Sequence, residues 1–290
     1  MRTEEQMMKL ILDTAREDER ILAVYMNGSR TNPNAPEDIF QDYDIVYVVT
    51  ETESFQRDRA WIDRFGERLF MQYPEEGFFG EDNTKECYGW LMQFADGNRL
   101  DLHVIVLERV LREIHSDRLC RILLDKQGVL PKIPEATDED HWVRRPGQEE
   151  FLAVCNEFWW CLDNVAKGLW RREIPYVQDM LNQNVRPQLV RQLSWKVGVK
   201  EDFRISVGKS GKYLYRWLEP QVWERFLSTY AGSGIGELWQ AVETMCVLFE
   251  ETAAENAAAL GLDYCREEGK NCQSYLRHVR NLPQDAKEVF

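Results

Sequence analysis

The sequence predicts an α+β chain, with strands and helices mixed over residues 1–145 and helices alone over residues 146–290. Three observations carry this expectation. Short runs rich in β-branched and aromatic residues occur in the first half, at 21–27 and 44–50. An Asp96-Gly97 pair lies between two apolar runs, 90–94 and 100–107, and Asp-Gly between such runs signals a hairpin. After Pro146 the apolar residues follow the helical period almost throughout.

The elements follow in order. Residues 3–18 read as a helix with Thr3 as N-cap. Residues 21–27 form a strand, a polar loop follows, and 44–50 form a second strand. Residues 54–73 read as one helix, with Trp61, Phe65, Leu69 and Phe70 near one face. The hairpin comes next. Residues 119–124 fit a helix or a strand. Pro131, Pro134 and the acidic run 135–140 read as a linker. In the second half, 149–172 is a long amphipathic helix carrying Phe158, Trp159, Trp160, Leu162 and Val165; at least one of the adjacent tryptophans belongs to the core. Pro175 suits the first turn of a helix running to Gly198. Residues 199–210 are a loop, and shorter helices lie near 212–217 and 220–230. Residues 235–260 form an Ala-rich helix stopped by Gly261, and a last helix runs from Asp263 to about Arg280.

Composition narrows the function. A net charge of −14 opposes a nucleic-acid partner, which requires a basic track. It suits a cationic small molecule, or simply a soluble acidic enzyme. The seven cysteines are odd in number and include no Cys-x-x-Cys, as expected of reduced, buried thiols rather than a disulfide framework. The four histidines (103, 115, 141, 278) are scattered, so no zinc site is expected. Residues 1–20 lack the apolar centre of a signal peptide, and no run approaches the ~20 apolar residues of a membrane span. A soluble, cytoplasmic protein without a membrane partner is the expectation.

The chemistry centres on two carboxylates one residue apart. Asp42 and Asp44 share a face if 42–49 is extended, because side chains alternate along a strand. Neighbouring carboxylates repel unless a cation lies between them, and oxygen donors suit Mg²⁺ together with substrate phosphates. Upstream, Gly28-Ser29 forms a turn that would present backbone N–H groups to a phosphate if it opened a helix. Asp101 lies on the second hairpin strand, with Leu100 and Leu102 facing the other way. If that strand pairs beside the Asp42/Asp44 strand, three carboxylates converge. The third completes the metal site and accepts a proton from an attacking hydroxyl. The competing reading of Asp101 is a surface charge paired with Arg99.

Gly-Ser, the spacer 30–41, Asp42-x-Asp44 and the later Asp101 together resemble the signature of the nucleotidyltransferase superfamily. The strings Asn27-Gly28-Ser29-Arg30-Thr31-Asn32-Pro33, Gln41-Asp42-Tyr43-Asp44-Ile45, Arg99-Leu100-Asp101-Leu102 and Gly211-Lys212-Tyr213-Leu214 make the whole chain similar to the aminoglycoside 6-adenylyltransferases, the streptomycin-modifying branch. The resemblance implies an N-terminal catalytic domain with a mixed β-sheet flanked by helices, at 1–145. It implies a helical-bundle substrate domain at 146–290, with the substrates in the cleft between them. It also implies that ATP donates AMP to an antibiotic hydroxyl, the 6-hydroxyl of streptomycin, and that pyrophosphate leaves.

By the same resemblance Asp42 and Asp44 are metal ligands, and Asp101 is the third acid and base. Ser29, with Gly28, contacts phosphate, Arg30 lies near the triphosphate, and Lys212 clamps it from the second domain. A solvated surface lysine is the competing reading of Lys212. Asp179 sits where a related family binds the cationic groups of streptomycin; an ordinary helix-surface aspartate competes with that role. His103 follows Asp101 on the same strand face and either lines the cleft or serves structure. Glu81, Asp82 and Glu86 form an acidic stretch that is a drug-facing lip or a solvated loop. Another drug, a metabolite or a protein as acceptor, and a non-catalytic nucleotide-binding module, are the alternatives to the streptomycin reading.

Overall fold

A computed structural model describes residues 1–78, 80 and 83–290. The chain divides into two compact units, Met1–Asp140 and His141–Phe290.

The first unit opens with helix α1 (Glu4–Glu17). Its start is a capping box: Thr3 Oγ1 accepts from the Gln6 N–H, and Gln6 Oε1 accepts from the Thr3 N–H. Met7, Ile11 and Ala15, spaced by four, bury one face. Six strands then build one sheet: β1 (Ile21–Asn27), β2 (Tyr43–Val49), β3 (Arg68–Gln72), β4 (Cys87–Phe94), β5 (Arg99–Val106) and β6 (Cys120–Asp125). Their order is β3-β4-β5-β2-β1-β6. Only β2 and β5 run parallel; the other neighbours are antiparallel, so the sheet is mixed. Residues 119–124, which fitted either element, supply edge strand β6.

Strand β2 alternates between two cores. Tyr43, Ile45, Tyr47 and Val49 join the cluster that contains Met7, Ile11 and Trp61. Val46 and Val48 face the other way, onto Val110 of helix α3 (Leu107–Glu113). Both faces of this central strand are therefore covered, which accounts for its near-continuous apolar run. Asp44 begins the Val46/Val48 row. The Tyr47 hydroxyl ties helix to sheet by donating to the Ile11 carbonyl at 2.7 Å.

The single helix expected over 54–73 does not form. Helix α2 covers only Glu53–Arg57, a short turn spans Trp61–Phe65, and Arg68–Gln72 is strand β3. Packing around Trp61 overrides the helical period. Its ring meets Phe55, Phe65 and Trp90 at centroid distances of 4.9, 5.8 and 5.6 Å. Gly66 then reverses the chain at φ 115°, and β3 gains backbone partners on β4. Leu69 and Phe70 end up exposed on the edge strand, at 64% and 69%, rather than on a buried stripe. The Asp-Gly hairpin forms as expected, joining β4 to β5.

The second unit is helical: α4 (Gln148–Arg171), α5 (Ile174–Met180), α6 (Arg186–Lys200), α7 (Pro220–Leu227), α8 (Ile235–Leu260) and α9 (Arg266–Asn281). The helix expected from Pro175 to Gly198 is interrupted by a wide π turn at Leu181–Val185. Pro187 follows it and lacks the N–H that would bond one turn back. Phe158 stacks on Phe249 at 3.7 Å between centroids, with Trp159 edge-on to both. Trp159 is buried, and Trp160 is exposed. No described helix is long and apolar enough to cross a membrane.

Phe158→Ala removes the centre of this stack, and truncating a buried Phe typically costs about 3–5 kcal/mol. Guanidinium denaturation should show a loss of that size; a loss below about 1 kcal/mol would contradict the packing described.

Candidate active site

The site is assembled at one end of the sheet, where β1 finishes and β2 begins. Asn27 pairs with Asp44 across β1 and β2, and Asp44 pairs with Asp101 across β2 and β5. Immediately after Asn27, Gly28 adopts φ 73°. A Cβ there would lie 2.0 Å from Asp44 Oδ2, so glycine is required twice over, for its conformation and for the close approach. The chain then makes one short turn, Ser29–Thr31, instead of opening a helix. The Gly28 carbonyl accepts from both the N–H and the hydroxyl of Thr31, at 3.1 and 2.8 Å. Asn32 is extended because Pro33 follows, which ends the turn.

Asp42 precedes β2, and carboxylate oxygens of Asp42, Asp44 and Asp101 all lie within 4.8 Å of one another. The aspartates brought together are those the spacing singled out. Crowding marks the central one. Burial first, then the charges of Asp42 and Asp101, push the Asp44 carboxyl up to about 7. Arg99 offsets part of the repulsion. It grips Asp101 in a two-point pair, Nε to Oδ1 at 2.9 Å and Nη2 to Oδ2 at 2.6 Å, and lies 3.7 Å from Asp42. The Arg99–Asp101 pair thus forms, with Arg99 exposed and the Asp101 carboxylate partly buried inside the cluster.

The other residues singled out occupy different settings. Arg30 Nε donates to the Asp42 carbonyl at 2.9 Å and Nη2 to the Gln41 carbonyl at 3.0 Å, and its guanidinium lies over the Tyr43 ring at 3.9 Å. It pins the segment that leads into β2. Lys212, in the second unit, is exposed with its ammonium 4.9 Å from the Tyr213 ring centroid. Asp179 is exposed on α5. His103 pairs with Glu75, Nε2 to Oε1 at 3.4 Å. Glu86 pairs with Arg112, whereas Glu81 and Asp82 lie outside the described residues. Arg99 had a legible signal, lying two residues before Asp101 on the same strand face. Glu75 had none, because it follows a strand that the sequence pattern presents as a helix.

The family model for streptomycin adenylyltransferase matches residues 1–279. The chain belongs to that family. Three curated relatives, each named aminoglycoside 6-adenylyltransferase, agree with this. The Bacillus subtilis (strain 168) protein is 39% identical over 91% of this chain and 93% of its own length. The Campylobacter jejuni protein is 39% identical over 91% of each, and the Staphylococcus aureus protein 33% identical over 96% of this chain and 99% of its own. This member of the family is thus an adenylyltransferase, and family membership implies ATP as co-substrate.

Two outcomes are expected of the acid cluster. Gly28→Ala sets a methyl on the Asp44 carboxylate, so adenylyl transfer should fall by at least about 100-fold, as expected when a catalytic constellation moves by about 1 Å; steady-state kinetics checks this. The second concerns pH. The raised Asp44 carboxyl leaves stability intact below its ordinary value of 3.8 and removes it progressively as pH rises to about 7. Asp44→Asn should therefore stabilise the metal-free protein at pH 8, by on the order of 4 kcal/mol at most, and leave it nearly unchanged at pH 4. Urea unfolding in chelator at the two pH values measures the difference.

Proposed function

We propose that the protein transfers AMP from Mg-ATP to a hydroxyl of an aminoglycoside, the 6-hydroxyl of streptomycin. The observation that carries this reading is the pairing of Asp44 with Asp101, with Asp42 beside them and the Gly28-Ser29 turn at the same strand ends. The names of the three relatives support the acceptor.

The donor set fits magnesium. It is all oxygen, and three carboxylates share it within 4.8 Å of one another, a concentration of negative charge that a hard cation would relieve. Asp42 and Asp44 would hold the ion, with Asp101 completing the site. When bound, the ion supplies neutralisation of charge on the transferring phosphate. The Ser29 turn orients the triphosphate through its backbone N–H groups. Asp101, released from Arg99, accepts the proton of the attacking hydroxyl. The hydroxyl oxygen then bonds to the α-phosphorus, and the bond to pyrophosphate breaks.

Residues 1–145 form the catalytic domain in this reading and 146–290 the substrate-binding one. Lys212 adds a point charge for phosphate, Arg30 holds the metal-binding segment beside the triphosphate, and Asp179 faces a guanidinium of the drug. Streptomycin carries two such groups, and a chain of net charge −14 attracts cations.

The test is a mass spectrum of streptomycin after incubation with protein, ATP and Mg²⁺, with spectinomycin, kanamycin and lincomycin in parallel. One added AMP on streptomycin alone is expected. No adduct on any drug from protein that binds Mg-ATP would move the acceptor to a metabolite or a protein. Asp42→Asn and Asp44→Asn should each abolish turnover in folded protein. Asp101→Asn should lower kcat by about 10²–10⁴ while ATP still binds, as loss of a positioned base does; an unchanged kcat would remove its assigned role.

A further inference from the structure

A second group of donors, from β4, β5 and the connection after β3, is used by none of the steps above. Glu75, Cys87 and His103 bring a carboxylate oxygen, a thiol sulfur and an imidazole nitrogen within 4.8 Å of one another. Glu75 Oε1 is the hub, 3.4 Å from His103 Nε2 and 3.6 Å from Cys87 Sγ. We infer that Glu75, Cys87 and His103 form a binding site for a borderline-soft transition ion of the zinc class.

The spacing suits such an ion. Bonds of about 2.0–2.1 Å to N or O and 2.3 Å to S, at tetrahedral angles, set donor atoms roughly 3.3–3.6 Å apart. Both measured separations match. Thiolate and imidazole donors favour zinc or cobalt over magnesium, so the chemistry differs from that of the all-oxygen aspartate cluster.

The surroundings are built for these side chains. Gly89 pairs with His103 across β4 and β5, and a Cβ at Gly89 would lie 2.3 Å from His103 Cδ2. Glycine therefore lets the ring lie across the neighbouring strand, towards Cys87 and Glu75. The Gly89 N–H donates to Glu75 Oε2 at 2.8 Å, which orients the carboxylate and leaves Oε1 for the hub position. Such outer hydrogen bonds orient ligands in metal sites. Cys87 is buried, and its thiol proton points to Glu75 Oε1. An ion takes the place of that proton, which leaves to solvent. Three protein ligands leave a fourth position for water. The ion would fasten the connection after β3, which carries Glu75, to the two strands. It would also brace His103, two residues from Asp101 on the same strand face.

The test uses the full chain. Metal-free protein is titrated with Co²⁺ in the presence of excess Mg²⁺. A sulfur-to-cobalt charge-transfer band that saturates at one equivalent is expected. Cys87→Ser should abolish the band, and Asp42→Asn should retain it, which separates this site from the aspartate cluster. X-ray absorption of the zinc-loaded wild-type protein needs no variant, and it should show one sulfur at about 2.3 Å with nitrogen or oxygen at about 2.0 Å. No sulfur in the coordination shell would overturn the site. So would a band that survives Cys87→Ser, because another cysteine, such as the exposed Cys265, would then be the ligand.

Discussion

Strands β2 and β5 run parallel in a register that sets Asp44 beside Asp101, and the first unit is arranged around that pairing. Parallel neighbours cannot be joined by a tight turn, so the chain must leave the sheet after β2 and return. The return path is α2, the Trp61 turn, β3 and β4. The β4–β5 hairpin then delivers β5 in the correct direction. A shift of one residue in this register would turn Asp101 to the opposite face, among Leu100 and Leu102. Burial of those two leucines, together with Val104, locks the register.

The same pairing creates an electrostatic problem. Three carboxylates in a half-buried place repel one another, and burial first, then the charges of Asp42 and Asp101, raise the affinity of Asp44 for a proton. In the protein alone the offset comes from Arg99, which holds Asp101 at two points and reaches towards Asp42. Gly28 brings the turn against the Asp44 carboxylate, closer than any other residue could. Arg30 anchors the backbone carbonyls on the approach to β2. Negative charge is thus concentrated in a half-buried place at one end of the sheet, as is common at functional sites.

The helical unit is stabilised by different means. Stacked and edge-on aromatic rings on α4 and α8 form its centre. Two polar clusters buried among these helices are hydrogen-bonded. Asn256 Nδ2 donates to both the carbonyl and the side-chain oxygen of Gln192 at 2.8 Å, tying α8 to α6. Arg186, buried after the π turn, donates to the Thr229 carbonyl at 2.7 Å and lies over the Tyr230 ring. Satisfied contacts of this kind specify one arrangement of helices that apolar packing alone would leave less defined.

The sequence by itself determined the local elements whose signals are short in range. Thr3 marks the start of α1, the β-branched runs mark β1 and β2, Asp96-Gly97 marks the hairpin, and Gly261 marks the end of α8. Asp42 and Asp44 were legible because strand alternation and the Gly-Ser spacing are local too, whereas Asp101 joins them only through the pairing of β2 with β5. Tertiary structure decided whatever depended on distant partners. Residues 54–73 have a helical period, yet Trp61 packs on Trp90 and residues 68–72 pair with β4, so the period is overruled. Arg30 became an anchor for the segment entering β2 because carbonyls eleven and twelve residues away lie within its reach. Glu75, Cys87 and His103 are unrelated in spacing and meet only because the sheet pairs β4 with β5 and the chain after β3 folds back over them. A side chain's neighbours along the chain are written in sequence, whereas its neighbours through space exist only once the sheet has chosen its register.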